Sequence, residues 1–143
     1  MSQLDLTGDI ATAIDGAVER GPAFVLGYTG PDGNAVLSFR GSLQVLGPDQ
    51  LGLWARSRDK GVAVEIVDRP QVSFLYYSAD TPGPKYLSIR GRARVAEELN
   101  DQVFEGMVPL EQGMDADRGG VAIVIDVDSV QGFGDEGPFQ QER

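Results

Sequence analysis

The chain has 143 residues, 41% hydrophobic and 24% charged, which is the balance of one soluble globular domain. It contains neither cysteine nor histidine, which excludes disulfides, thiolate or histidine metal sites, Ser-His-Asp triads and an imidazole general base. A net charge of −10 disfavours nucleic acids and anionic membranes as partners. If the chain is an enzyme, a bound cofactor is the natural carrier of its reaction.

The distribution of apolar and charged residues along the chain also indicates its targeting and domain organisation. No apolar run approaches the roughly 20 residues that span a bilayer, and the N-terminal stretch "MSQLDLTGDIATAIDG" carries acids where a signal peptide carries cations. We therefore expect a cytoplasmic protein. No carboxylate spacing typical of a calcium loop is present, so no metal is expected. We predict a single domain over 1–143, with its core in 10–133 and a tail at 134–143.

The first part of the chain predicts one helix and three strands: helix 9–20, strand 23–30, strand 34–47 and strand 51–57. Thr7 or Asp9 is the expected N-cap of the helix, and Gly21-Pro22 its stop. Turns are expected at 30–33 and 47–50. The strand 34–47 alternates, with Ala35, Leu37, Phe39, Leu43 and Val45 on one side and Ser38, Arg40, Ser42 and Gln44 on the other.

The second part predicts a helix over 59–70, a strand 71–78, a loop 79–84, a strand 85–98, a helix after Asn100 and a strand 119–134. The helix over 59–70 must end before Pro70, although its valines equally suit a strand. In the strand 85–98 we expect Leu87, Ile89, Ala93 and Val95 inward and Tyr86, Ser88, Arg90, Arg92 and Arg94 outward. Six strands with short helices between them indicate an α+β domain dominated by an antiparallel sheet.

Positive charge is concentrated in the middle of this acidic chain. Residues 40–94 hold nine Lys/Arg against five Asp/Glu, and the remaining residues hold three against seventeen. The segment "ARSRDK" (55–60) places three cations and a hydroxyl where a strand gives way to a helix. Arginine suits phosphate because its planar fork donates two parallel hydrogen bonds. The segment is therefore either a solvated loop or a seat for an anion.

Arginines recur on the polar sides of two predicted strands: Arg40 on the second strand, and Arg90, Arg92 and Arg94 on the fifth. If these strands are neighbours, the arginines lie on one surface beside the basic segment. The alternative is an ordinary solvated strand face. Trp54 precedes the basic segment, so its ring either packs in the core or flanks a bound aromatic system.

The order of these elements resembles the pyridoxamine-phosphate-oxidase-like flavin-binding split barrels, over roughly 10–133. "AFVLGYTGPDGNAVLSFRG" is similar to the opening hairpin of that family. "LGLWARSRDKGVAVEIVDRPQVSF" resembles its strand, basic phosphate turn, helix and next strand. "YLSIRGRARV" resembles a motif strand with the pattern v-x-G-x-A-x-V, and "GVAIVIDVDSVQGFG" resembles the closing strand. The resemblance implies a six-stranded split β-barrel with short helices inserted.

The resemblance also implies a homodimer with two equivalent flavin mononucleotide (FMN) sites in its interface. By the same resemblance, the flavin is lined by strand two around Ser38, Arg40 and Ser42, and by strand three around Trp54 and Ala55. The turn at 56–60 is expected to hold the phosphate through Arg56, Ser57 and Lys60, with Arg40 nearby. Counted back from Pro70, however, these bases stand a few residues earlier than in the family pattern. No catalytic residue is implied.

The expected function is that of an FMN-dependent oxidoreductase acting on an unidentified small molecule. A true pyridoxamine-phosphate oxidase is not expected, because the chain lacks the longer C-terminal region and the histidine of those enzymes. Haem binding would also want a histidine. Two alternatives remain open: a reductase that uses the deazaflavin coenzyme F420, and a non-catalytic flavin- or ligand-binding protein. The acidic flanks of the basic segment favour FMN over F420, which adds an oligoglutamate tail.

Overall fold

A computed structural model describes residues 2–19, 24–79 and 83–143. The described strands are β1 (Ser2–Gln3), β2 (Phe24–Thr29), β3 (Ala35–Arg40), β4 (Gln44–Gly47), β5 (Gln50–Ala55), β6 (Gln71–Tyr77), β7 (Pro84–Val95), β8 (Val121–Gly134) and β9 (Gly137–Glu142). The described helices are α1 (Asp9–Asp15), α2 (Val62–Asp68), α3 (Asn100–Glu105) and α4 (Pro109–Gly113), with a 3-10 turn at Glu97–Leu99. The expected helix stop at Gly21-Pro22 and residues 80–82 of the expected loop 79–84 lie outside the described residues.

The strands form one largely antiparallel sheet in the order β1-β9-β8-β7-β6-β2-β3, and β5 joins it at β8 and carries β4. The long strand β8 organises this arrangement. One of its edges pairs with β7 along most of its length, while its other edge pairs first with β5, through Val121–Asp126, and then with β9. Among the described strands, β3 and β4 do not pair, so the sheet is curled but not closed.

The fold class is confirmed: the chain is α+β, with a mostly antiparallel sheet and short helices. The described residues form nine strands, so the predicted count of six is not confirmed. The difference arises at three places, the first being the short strand β1, which pairs with β9 and was not predicted. The expected tail is instead β9, which pairs with β8 from Ser129 to Gly134. The expected single strand 34–47 is broken at residues 41–43 into β3 and β4.

The inner side of the curled sheet holds the main core. The strands contribute these of its largest fully buried side chains: Phe24, Leu26, Leu51, Leu53, Phe74, Tyr76, Leu87, Ile89 and Ile123. Phe24 stacks on Tyr76, with ring centroids 5.1 Å apart. Helix α1 covers this core through Ile10 and Ile14, and α2 covers it through Val62 and Ile66. As predicted, Leu87, Ile89 and Ala93 face inward on β7, whereas Val95 is exposed at its end.

A second, smaller core lies between β5, β8 and α3, where Trp54, Val103, Phe104, Met107 and Ala122 pack together. The predicted helix after Asn100 is two helices, separated at Gly106 and restarted by Pro109 in the first turn of α4. Asn100 begins α3, and its side-chain oxygen accepts a hydrogen bond from the Ala122 N–H at 2.9 Å. Helix α1 begins after Gly8 without a side-chain cap, so neither Thr7 nor Asp9 caps it.

Candidate functional site

Strand β3 turns its polar side chains inward. Residues directly opposite in an antiparallel pair point to the same side of the sheet. Arg40 pairs with Phe24 and Ser38 pairs with Leu26, and both partners are buried in the core. Ser38 and Arg40 therefore lie at the inner side of the sheet, where both are half-buried. The Arg40 Nε donates a hydrogen bond to the Ser38 hydroxyl at 3.2 Å.

Arg40 lies close enough to Arg56 for their charges to interact, although the two come from different strands. Burial lowers the pKa of the Arg40 guanidinium, and the positive charge of Arg56 lowers it further, while the Tyr28 phenol acts in the opposite direction. Neither arginine forms an ion pair within the described part of the chain. The Asp115 carboxylate interacts electrostatically with Arg56 without forming an ion pair with it. Two neighbouring cations with no ion-pair partner among the described residues make this region attractive to an anion.

In the turn between β5 and α2, residues 56–60, some side chains are bound to other groups of the chain and others are not. The Arg58 guanidinium pairs with Glu97 and donates to the carbonyl oxygens of Gly119 and Gly120. The Ser57 hydroxyl donates to the Asp59 carboxylate at 2.9 Å. Arg56 and Lys60 are exposed and have no ion-pair partner among the described residues. Arg58 therefore anchors the turn, and Arg56 and Lys60 remain available to a ligand.

Tyr28 is a polar residue of this region that sequence reasoning did not single out. Its ring follows Phe24 and Leu26 on the inner side of β2, and a Cβ added to Gly61 would lie 4.0 Å from its hydroxyl oxygen. Gly61 has φ 72°, a conformation that favours glycine, and α2 begins immediately after it. Because side chains alternate between the two sides of a strand, the inward positions of Phe24 and Leu26 predict an inward Tyr28, and this was the available signal.

The other predicted site residues are held by contacts inside the chain. The Ser42 hydroxyl accepts a hydrogen bond from the Trp54 backbone N–H at 3.0 Å and lies 3.4 Å from the Trp54 carbonyl oxygen. The Trp54 side chain is only 4% exposed; its indole N–H donates to Asp115 at 2.8 Å, and its ring meets Phe104 edge-on. Ala55 is buried beside it. The structure thus places Ser42, Trp54 and Ala55 in packing roles, and their predicted cofactor contacts stay predictions.

The surface shared by Arg40 and the arginines of β7 does not exist. Strands β2 and β6 lie between β3 and β7, so the two predicted strands are not neighbours. Arg92 pairs with Asp128, and Arg94 pairs with Glu98. Twelve Lys/Arg less Arg20, which lies outside the described residues, leaves eleven, and seven of these form ion pairs. Four form no ion pair with a described residue: Arg40, Arg56, Lys60 and Arg90. Three of those four belong to the predicted phosphate grip.

The outer side of the same strands is unusually apolar. We call it the outer face and define it by Leu37, Phe39, Leu75 and Tyr77. Leu37 is 70% exposed and Phe39 is 77% exposed, and the register Phe39–Val25–Leu75 sets β3, β2 and β6 side by side. Large hydrophobic side chains clustered on one exposed sheet face mark an interaction surface.

Two absences hold for the described residues. No group of three or more carboxylates there could hold a metal ion. None of the helices described is long and apolar enough to cross a membrane.

Comparison with known structures identifies the fold. A putative pyridoxamine 5'-phosphate oxidase from Lactobacillus delbrueckii has a TM-score of 0.54 at 17% identity, covering 90% of this chain and 98% of that one. An F420 reductase has a TM-score of 0.58 at 18% identity, and the match covers 76% of this chain and 88% of that one. PhzG from Burkholderia lata, solved with tetrahydrophenazine-1-carboxylic acid, has a TM-score of 0.65 at 13% identity, and the match covers 94% of this chain and 87% of that one. No protein-family model and no curated protein sequence matches the chain. The predicted resemblance is confirmed at the level of the fold.

Proposed function

We propose that this chain is an FMN-binding oxidoreductase that works as a homodimer on a small molecule. The observation that carries the proposal is the position of the unpaired cations. Arg56 and Lys60 stand free of ion pairs on the turn between β5 and α2, and the half-buried Arg40 lies beside Arg56. The split-barrel fold that the chain shares with an F420 reductase and a putative pyridoxamine 5'-phosphate oxidase supports a flavin-type cofactor.

The residues present fit one phosphate group. Arg56 and Lys60 would hold the phosphate, because a guanidinium fork and an ammonium both donate charge-assisted hydrogen bonds to phosphate oxygens. The nearby charge of Arg40 adds to the attraction. Asp59 is the one carboxylate inside the turn, and it accepts a hydrogen bond from the Ser57 hydroxyl. Ser57 would have to release Asp59 before it could bind the phosphate.

Homodimerisation is proposed from the outer face. A second copy of the chain would cover Leu37, Phe39, Leu75 and Tyr77, which are otherwise exposed to water. Closed homodimers with a self-complementary face are the commonest soluble oligomers. The resemblance implies that the cofactor lies at this kind of interface, and Ser38 and Arg40 alternate along β3 with Leu37 and Phe39. One strand would then contribute to both the cofactor site and the dimer contact.

The distribution of free cations favours FMN over F420. An oligoglutamate tail would gain from a continuous cationic groove leading away from the phosphate. Arg58, Arg92, Arg94 and Arg118, however, are each bound to a carboxylate of the chain itself. The unpaired cations are enough for one phosphate and do not extend into a groove.

The bound flavin would supply the hydride chemistry, and the chain would supply binding, orientation and electrostatics. With no histidine in the sequence, no imidazole is available to hold a proton. Tyr28 and Ser38 carry hydroxyl groups near the unpaired Arg40, because Tyr28 interacts with its charge and Ser38 accepts its hydrogen bond. They are the groups of this chain that would orient a polar atom near the cofactor.

The proposal is tested by titrating the purified protein with FMN, riboflavin and F420, each at low and high salt. We expect FMN to bind more tightly than riboflavin, which lacks the phosphate. We also expect added salt to weaken the binding of FMN and to leave the binding of riboflavin unchanged. Equal affinity for riboflavin and FMN would show that the cations hold no phosphate. Tighter, strongly salt-dependent binding of F420 would replace FMN as the cofactor.

A further inference from the structure

A cavity of about 300 Å³ lies between α1, the connection from β3 to β4, and the segment that joins α3 to α4. Its apolar walls among the described residues include Ile14, Phe24, Leu43 and Met107. Ligand pockets in proteins begin at about this size, so the cavity suits a small organic molecule rather than a nucleotide. Apolar side chains and polar groups share the wall about equally, so a bound molecule would contact hydrocarbon on one part of its surface and polar groups on another.

The principal cation in the cavity wall is Arg40. Its Nε is used by Ser38, while its two terminal nitrogens have no hydrogen-bond partner in the described part of the chain. A half-buried guanidinium beside a second cation, with no carboxylate paired to it, is costly to maintain without an anion. The terminal nitrogens present the planar fork that a carboxylate matches with two parallel hydrogen bonds.

Two carboxylates limit how much negative charge the cavity accepts. Asp15 lines the wall, and its Oδ1 accepts the Val45 N–H at 2.9 Å. Glu111 lies against Gly41, where an added Cβ would approach its Oε2 to 2.7 Å. A ligand with a second negative charge would face these acids in a region of reduced hydration. The wall therefore discriminates against dianions.

We propose that this cavity binds a small organic monocarboxylate with an apolar body, whose carboxylate pairs with Arg40. The inference rests on the proposed function and deepens it, because it names the substrate class of that site. It assigns Arg40 to the substrate and leaves Arg56 and Lys60 to the cofactor phosphate. Arg40 is thereby a specificity-determining residue.

The test uses benzoate as the probe, titrated into the wild-type protein without cofactor by calorimetry or ligand-observed NMR. We expect benzoate to bind at least about tenfold more tightly than neutral benzamide and than the dianion phthalate, since each change removes or opposes a charge-assisted contact. Arg40→Gln should weaken benzoate by about tenfold or more, and Arg90→Gln should leave it unchanged. Val18→Trp, which fills the cavity from α1's side, should abolish binding.

The ligand series needs no variant, so the proposal stays testable even if Val18→Trp fails to fold. No detectable benzoate binding, equal binding of benzamide, or full binding by Arg40→Gln would each overturn it. FMN is titrated separately into the wild type. Benzoate binding without FMN binding would uphold the cavity assignment and contradict the proposed cofactor, and FMN binding without benzoate binding would do the reverse.

Discussion

The indole N–H of Trp54 donates a 2.8 Å hydrogen bond to the carboxylate of Asp115, 61 residues away in the sequence. Asp115 also accepts the backbone N–H groups of Gly119 and Gly120, at 3.0 and 2.8 Å. One side chain thus joins the end of β5 to the loop that precedes β8. Because Arg56 follows directly after this strand, the contact also fixes the start of the basic turn.

Asp115→Ala is predicted to lower the free energy of unfolding by about 1–3 kcal/mol, because it leaves the Trp54 indole and two backbone donors without their acceptor. Urea denaturation measures the change. Asp117→Ala, an exposed neighbour in the same loop, is the matched control and should stay within about 0.5 kcal/mol of the parent. Equal effects of the two substitutions would show that the contact adds nothing to stability.

Asp115 also predicts an acid-sensitive stability. Burial raises the pKa of its carboxyl, but the hydrogen bonds from Trp54, Gly120 and Gly119, together with the positive charge of Arg56, outweigh burial and lower the pKa below the ordinary value. A depressed folded-state pKa contributes stability above the unfolded-state pKa, and this is lost as pH falls through the folded value. Wild-type stability should therefore fall more steeply below about pH 4 than that of Asp115→Asn. Parallel pH profiles would contradict this assignment.

Asp15 predicts a pH dependence of stability opposite to that of Asp115. Although the residue is exposed overall, loss of hydration beside the cavity raises the pKa of its carboxyl, and the bond from the Val45 N–H only partly opposes this. Stability from a raised pKa is present below the unfolded-state value and lost as pH rises through the folded one. Asp15→Asn should therefore gain stability relative to the parent as the pH rises from acidic to neutral, measured by thermal unfolding. A relative gain on acidification would refute it.

Gly91, in the motif "YLSIRGRARV", is predicted to tolerate no side chain. A Cβ there would lie 2.5 Å from the Asp126 carbonyl oxygen, at the irregularity where β7 shifts register against β8. Gly91→Ala should cost about 1–3 kcal/mol or more through overpacking. Gly113→Ala, where no atom lies within 4 Å, should be neutral or stabilising, and chemical denaturation compares the two.

The dimer proposal predicts a specific dissociating variant. Phe39→Lys places a charge in the centre of the outer face and should convert a dimer into a monomer, as measured by light scattering with size-exclusion chromatography. Val67→Lys is the control, because Val67 on α2 is 74% exposed, close to the 77% of Phe39. A wild type that is already monomeric, or dissociation by both variants, would remove the outer face as the interface.

How far the sequence predicts this fold depends on whether the signal is local. The alternation of β7 correctly placed Leu87 and Ile89 inward, because period-two burial needs no knowledge of the partner strand. The break between β3 and β4 was missed, because it depends on the Ser42 hydroxyl binding the backbone of Trp54 in another strand. Strand β9 was missed because its polar sequence becomes a strand through pairing with β8.

The candidate site shows the same division. The concentration of basic residues at 56–60 is visible in the sequence, but the ion pairs and hydrogen bonds that these residues make within the chain are not. Arg58 is removed from ligand binding by Glu97, 39 residues away, and Arg40 meets Arg56 only because the sheet curls. The alternating pattern of β3 also gave no indication that its apolar side would face outward, which follows from the pairing of Ser38 and Arg40 with core residues of β2.

The central claim is that Arg56 and Lys60 hold the phosphate of FMN, and one titration tests it most directly. FMN affinity is measured for the wild type, Arg56→Gln, Lys60→Gln and the control Arg90→Gln. The control removes an exposed arginine that also has no ion-pair partner in the described part of the chain. Losing one charge-assisted bond costs about 1.5–3 kcal/mol, so each of the first two variants should bind at least about tenfold more weakly, and the control should match the wild type. FMN binding of equal strength in all four proteins, or none in the wild type, would contradict the account.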